Sequence, residues 1–300
     1  MSYYAVFDTG GSSIKYALMD EMATFLKKGS VKTPMEGIDS FVETIAQIVE
    51  QFQETYSIEG VALSMPGAVD VETGYIGGGS KIPYIHGPNI KQLVQKRTGV
   101  GVELENDANC AGLAEGWMGA AQDVNDYICI VIGSGIGGTI VLDKKVRHGK
   151  NLHAGEFGYM LMEGYLEHHL GKNWSQVAST AGLVRHVANR KGKDCSDLDG
   201  KTVFEMADYG DADAQEEIST FIKRLAVGIF NVQYVIDPEK ILIGGAVSKQ
   251  KFLIERINQE LSMMKDDTSR LHVTVERCAF GNDSNLIGAL YHYLQQKNMV

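Results

Sequence analysis

The stretch Tyr3-Tyr4-Ala5-Val6-Phe7-Asp8-Thr9-Gly10-Gly11-Ser12-Ser13-Ile14-Lys15-Tyr16-Ala17-Leu18-Met19 places a glycine and serine bend between two runs of strand formers. That order predicts a β-hairpin, with Tyr3–Phe7 and Ile14–Met19 as its arms and Asp8–Ser13 as its bend. The plan recurs about 125 residues later, where Tyr127–Ile132 is a β-like run, Gly133–Gly138 a glycine turn and Thr139–Leu142 a returning strand.

Helix and strand signals follow each hairpin. Apolar residues at Ile38, Phe41, Val42, Ile45, Ile48, Val49 and Phe52 keep a helical period with one buried face. Val61-Ala62-Leu63 is a short strand stopped by Met65-Pro66-Gly67, and residues 71–88 have no period. A helix over Asn89–Thr98, a strand over Val100–Leu104 and a small-residue helix over Ala111–Met118 come next. In the second half, helices are expected near Ser175–Lys191, Asp213–Ile236, Lys249–Met264 and Asn285–Gln296, with strands at Lys240–Ile243 and Leu271–Glu276. A hairpin followed by alternating helices and strands, occurring twice, predicts an α/β chain of two related lobes with a nucleotide-sized cleft between them. The expected division is 1–117, joined by the C-terminal helix 286–300, and 118–285. A length of 300 residues exceeds what one core usually supports and agrees with two.

The charge balance narrows the partners. With 28 basic and 38 acidic residues the chain carries −10, and no Lys/Arg stripe interrupts the sequence, so neither nucleic acid nor an anionic membrane is expected. No long apolar run and no cationic leader occurs, and the four cysteines form no CxxC pair; a reduced, cytoplasmic protein is expected.

Gly133-Ser134-Gly135-Ile136-Gly137-Gly138 satisfies G-x-G-x-x-G, whose dinucleotide reading needs a helix to begin in the motif. A strand follows instead, which makes the segment a turn whose bare N–H groups can face an anion. The first bend adds a carboxylate, hydroxyls and a lysine: amides and hydroxyls suit phosphate oxygens, and Asp8 suits a hydrated Mg²⁺. Gly244-Gly245, after the run Ile241-Leu242-Ile243, is either a plain strand-to-helix turn or a platform for adenine or ribose. In Glu105-Asn106-Asp107-Ala108-Asn109 one side chain can cap the next helix. Phosphoryl transfer to a hydroxyl also needs a positioned carboxylate to take its proton, and Asp107 fits, with Asn106 and Asn109 as groups that orient hydroxyls. Glu156, in His153-Ala154-Gly155-Glu156-Phe157-Gly158-Tyr159, is either a solvated loop carboxylate or a partner for adjacent sugar hydroxyls.

Taken in order, these segments resemble the ROK family (repressors, open reading frames and kinases) of the actin-like, ribonuclease H-like sugar-kinase superfamily. Asp8–Lys15 is similar to its first phosphate loop, Met65-Pro66-Gly67 to its Pro-Gly sugar loop and Glu105–Asn109 to its catalytic segment. Gly133–Gly138 is similar to its second phosphate loop, Ala154–Gly158 to its sugar-binding Gly-Glu segment and Gly244-Gly245 to its adenosine loop. The resemblance implies ATP-dependent phosphorylation of a hexose or hexose derivative at O6, with ATP and Mg²⁺ as co-substrates and Asp107 as general base. It implies Gly67, Asn106, Asp107 and Glu156 at the sugar, and Asp8, Gly10, Gly11, Ser12, Ser13, Lys15, Gly133, Ser134, Gly135, Gly137, Gly244 and Gly245 at the nucleotide, Asp8 also holding Mg²⁺ through water. A homodimer is the expected assembly.

The chain departs from the family pattern in places. Tyr159 stands where a histidine is usual, Ser175 where a glutamate is usual and Lys81 where a loop asparagine is usual; Tyr159 and Ser175 thus enter the sugar-contact set. Residues 162–173 lack the cysteines of the family's zinc loop, so no structural zinc is expected, and Glu163, Glu167, His168 and His169 are a poor metal set because adjacent histidines are hard to aim at one ion. Glucose, a β-glucoside, N-acetylmannosamine and fructose all remain candidate acceptors. Two readings compete: a sugar sensor without catalysis, against which Asp107 and both phosphate loops argue, and a transcriptional regulator, which needs a helix-turn-helix where only seven residues precede Asp8.

Overall fold

A computed structural model describes residues 2–163, 171–264, 271 and 274–300. Internal contacts divide the chain into two units: one takes the residues up to Gly119, His148–His153 and Asn282–Val300, the other Ala120–Arg147 and Ala154–Gly281.

The first unit opens with the hairpin β1 (Tyr3–Thr9) and β2 (Ser13–Asp20), extended by β3 (Phe25–Lys32). There follow α1 (Ile38–Gln53), β4 (Ile58–Met65), the short pair β5 (Ala68–Val69) and β6 (Ile76–Gly77), α2 (Ile90–Thr98), β7 (Gly101–Asn106) and α3 (Asp107–Met118). The sheet order is β3-β2-β1-β4-β7, antiparallel through the hairpin and parallel from β1 to β4 to β7. Alternation along β1 sends Ala5 and Phe7 into a core shared with Phe41, Ile45, Val49 and Phe52 of α1. The expected irregular stretch 71–88 contains only β6 and a 3₁₀ turn at Pro83–Ile85.

α3 begins four residues earlier than the expected Ala111. The Asn106 side chain accepts from the N–H groups of Ala108 and Asn109 at 2.9 and 3.1 Å, so the polar Asp107–Asn109 run forms the first helical turn instead of a loop.

The second unit repeats the strand plan: β8 (Tyr127–Ile132) and β9 (Ile136–Leu142) form the hairpin, and β10 (Lys145–Val146) extends it. After β11 (Leu161–Glu163), β12 (Lys172–Asn173), α4 (Trp174–Ala178), α5 (Thr180–Lys191), α6 (Gly200–Asp208) and α7 (Ala212–Ile236), β13 (Lys240–Gly244) enters parallel to β8. α8 (Leu253–Met264) leads to β14 (Val275–Arg277) at the other edge of β13. The order β10-β9-β8-β13-β14 matches the first sheet strand for strand, which is the α/β pair of related sheets the sequence led us to expect.

The one helix expected over Ser175–Lys191 is two, because Ser179 leaves the helix and caps α5 by accepting from the Gly182 N–H at 3.0 Å. The glycine turn after β8 is shorter than expected, since Gly137 and Gly138 already pair with Val131 and Ile130. The strand expected from Leu271 falls partly outside the described residues, as do Glu167, His168 and His169.

The chain then returns to the first unit as α9 (Ser284–Gln296), which packs on α3 and crosses β1, β4 and β7. Gly288 permits this approach: a Cβ there would lie 1.7 Å from the Cys110 carbonyl oxygen. No described helix is long and apolar enough to cross a membrane.

Candidate active site

In the first unit, register decides which side chains meet. Parallel pairing sets Asp8 beside Ser64, and Ser64 beside Glu105, so β1, β4 and β7 end together. The carboxyl ends of parallel strands are where open α/β sheets place ligands. Asp8 is nearly buried; its Oδ1 accepts from Ser64 Oγ at 3.2 Å and Asn285 Nδ2 at 3.0 Å, and its Oδ2 faces Lys15 Nζ at 3.2 Å. Cross-strand pairing of Asp8 with Lys15 explains this ion pair.

Gly10 closes the first bend by donating its N–H to the Ser13 carbonyl at 3.0 Å, and the Thr33 hydroxyl donates to the Gly10 carbonyl at 2.6 Å. Gly11 is required: a Cβ there would meet Lys81 Cβ at 2.7 Å. Ser12 is exposed at the tip and Ser13 half-buried.

Asn106 does more than cap. Its Nδ2 donates to the Gly67 carbonyl at 3.0 Å and to Asp107 Oδ1 at 3.1 Å, tying the Pro-Gly loop to the start of α3. Asp107, first residue of α3, also accepts from the Ala108 N–H at 2.9 Å. Asn109, expected to orient hydroxyls, is instead buried, with its amide donated to Glu105 Oε1 at 3.0 Å. Gly67 holds φ +103°, and a Cβ there would meet the Gly77 carbonyl oxygen at 3.0 Å.

In the second unit the second glycine turn, the Gly-Glu segment and Gly244-Gly245 meet around the end of β8. Gly155 has φ +88°, and a Cβ there would stand 2.5 Å from the Gly138 carbonyl oxygen. Gly245, also at φ +88°, brings bare backbone against Ile132, whose carbonyl oxygen a Cβ would approach to 2.1 Å. Ser134, Glu156, Tyr159 and Ser175 line one hollow of about 360 Å³, with Asn173, Gln176 and Arg185. Tyr159 is 72% exposed, a flat apolar face open to a ligand. Ser175 turns its hydroxyl to the backbone, accepting from the Ile136 N–H at 2.8 Å, so it shapes the turn that carries Gly135.

Asp8, Gly10–Ser13, Lys15, Gly67, Asn106 and Asp107 thus gather in the first unit. Gly133–Gly135, Gly137, Glu156, Tyr159, Ser175, Gly244 and Gly245 gather in the second. Sequence reasoning overlooked His148. Glu105 lies within the segment quoted for its chemistry, but its partner is 43 residues away, and nothing local signals it.

The whole length of the chain has known relatives. The model of the ROK family matches residues 3–296. A β-glucoside kinase of Listeria monocytogenes is 33% identical over 98% of both chains. Among solved structures, a ROK family protein from Streptococcus pneumoniae in complex with sucrose is 34% identical with a TM-score of 0.89, covering 99% of this chain and all of that one. A ROK family glucokinase from Streptomyces griseus, in complex with glucose and AMPPNP, is 26% identical with a TM-score of 0.80, covering 96% of this chain and 98% of that one. A match across nearly every residue, with relatives above 30% identity at full length, establishes that this chain belongs to the ROK family.

Proposed function

We propose that the chain is an ATP-dependent sugar kinase that phosphorylates a hexose or hexose derivative at O6, with Asp107 as general base. The observation that carries this reading is Asp107 itself: a carboxylate at a helix N-terminus, its Oδ1 fixed by Asn106 and the Ala108 N–H, at the end of three parallel strands. Full-length relatives named β-glucoside kinase and glucokinase support the same chemistry.

In this reading Asp107 takes the proton of the acceptor hydroxyl as the bond to phosphorus forms, and Asn106 keeps the carboxylate in place. Glu156 holds two vicinal hydroxyls, and the glycine turns after β1 and β8 offer N–H groups to phosphate oxygens. Gly244 and Gly245 give the adenosine a flat backbone. Asp8 fits a hydrated Mg²⁺: Ser64, Asn285 and Lys15 fix the carboxylate while Oδ2 keeps a lone pair beyond its one partner. When bound, the ion neutralises charge on the transferring phosphoryl group.

Tyr159, in the hollow with Glu156, offers a face on which a second pyranose or an aglycone stacks, so a β-glucoside is the favoured acceptor. The protein acts in the cytoplasm as a homodimer, for which Val227, Tyr234 and Val235 supply an exposed apolar stripe on α7. The deciding experiment is an ADP-release assay over a panel of hexoses and β-glucosides, with product analysis. Turnover is expected with Mg²⁺ and absent in chelator, and at least one β-glucoside should reach a kcat/KM within about tenfold of glucose, a ~1.4 kcal/mol difference. No turnover on any sugar, or phosphate at O1, sinks the reading.

A further inference from the structure

Beside the proposed base lies a buried carboxylate that the reaction does not consume. Glu105 is 1% exposed and is met from three sides. Its Oε1 accepts from the Asn106 N–H at 2.7 Å and, from α3, Asn109 Nδ2 at 3.0 Å. Its Oε2 lies 2.7 Å from Nε2 of His148, on the strap His148–His153, and 3.8 Å from Nδ1 of His292 on α9. Cys110 Sγ faces the Glu105 carbonyl oxygen at 3.8 Å. Farther out, Asp70 acts on His148, and Glu103 and Lys91 act on His292.

A carboxylate buried this deeply stays ionised only with close positive partners. Burial alone would raise its pKa, but the hydrogen bond from His148 and the charge of both imidazoles outweigh that effect and hold it below the ordinary glutamate range. The two histidines differ. The hydrogen bond to Glu105 raises the pKa of His148, whereas burial lowers that of His292. The pair is therefore Glu105 with His148, the closer partner at 2.7 Å, and His292, at 3.8 Å and with its pKa lowered, is the lesser one.

We propose that Glu105 and His148 form a positioning pair that latches the strap 148–153 to the catalytic segment and fixes Asp107 for proton transfer. The path is short. Glu105 takes the Asn106 N–H, and the Asn106 side chain holds Asp107 Oδ1, the Gly67 carbonyl and the first turn of α3. A Glu105 without His148 turns toward water or takes up a proton, and either change frees the backbone of Asn106. The inference rests on the kinase reading for its effect on turnover; the latch itself is a statement about residues 105–109.

The sign with pH follows from His148. Its folded pKa is raised, so the pair is complete below the ordinary histidine value of ~6.5 and is lost as pH rises through the folded pKa. Three variants of the full chain test this: H148Q, H148R, which is charged at every accessible pH, and E105Q. In H148Q we expect kcat to fall roughly 10–100-fold with the KM for ATP within about twofold, the pattern of a misplaced group. Wild-type kcat should drop on the alkaline side, and H148R should remove that drop. Amide hydrogen exchange in a peptide spanning 104–110 should be severalfold faster in H148Q at neutral pH and normal in H148R. Unchanged exchange in H148Q overturns the latch, and faster exchange with unchanged kcat overturns the positioning role. E105Q should reproduce H148Q and resist rescue by H148R; where it does not fold, the half-exposed His148 variants decide alone. If the wild type phosphorylates no hexose, the kinase reading falls, and the exchange result still upholds or overturns the latch.

Discussion

Asp107 carries the heaviest chemical claim of any single residue, and asparagine is the replacement that isolates it. An asparagine keeps an oxygen for the Ala108 N–H and the volume of the side chain, so the cap and the fold survive while the proton acceptor is gone. Asp107→Asn should lower kcat by ~10²–10⁴-fold with thermal stability near wild type; a variant that retains more than about half of the wild-type kcat would exclude the role of base. The sequence made Asp107 legible as a carboxylate where a strand gives way to a helix, and it is the first residue of α3. It left Asn106 ambiguous, and the structure gives that residue the cap and two tethers at once. Ser175 was legible as a position but not as a contact, since the direction of a hydroxyl depends on a backbone 39 residues away. Glu105 and His148 share this limit: a buried pair formed across such a separation leaves no local pattern.

Among the elements, those with a strong period were read well, α1 most clearly, because one face of it is core. β3 was missed for the opposite reason. Its sequence Phe-Leu-Lys-Lys-Gly-Ser-Val-Lys is largely exposed at a sheet edge, where lysines discourage pairing with another chain and erase the apolar alternation. α6 escaped because it is short, nine residues with Val203 and Phe204 buried, and the break at Ser179 because a cap, not apolar spacing, defines it. The contact of α3 with α9 rests on Gly288. Gly288→Ala forces the two backbones apart, and overpacking of this kind costs ~1–3 kcal/mol, or more where backbone must move. The melting temperature should fall by several degrees, whereas Gly79→Ala, with nothing within 4 Å of the new methyl, should change it little. Equal melting temperatures for the two variants would show that the helices slide apart freely.

At the scale of the whole molecule, the repeated strand order was the most legible feature, because both hairpins announce themselves by glycine. The path of the chain between the units was less so. The chain leaves the first unit at Gly119, comes back for His148–His153, leaves again and returns only at Asn282. The last helix was expected beside residues 1–117, whereas nothing in the sequence signals the return of His148–His153. Since α9 lies across β1, β4 and β7, the first 119 residues lack one wall of their core until the final helix arrives. This orders events during synthesis. A ribosome delivers residues from the N-terminus at ~5–20 per second, and domains ordinarily fold as they emerge. Here the half made first must wait for the half made second. We predict that nascent chains stalled after residue 282 is exposed carry a protease-resistant 120–281 region and a still-sensitive 1–119 region, and that both resist once residue 300 clears the tunnel; early protection of 1–119 would show that the sheet closes without α9. While it waits, the open face of the first sheet is a surface on which chaperones act, so the protein's yield in the cell should depend on them more than its final stability does.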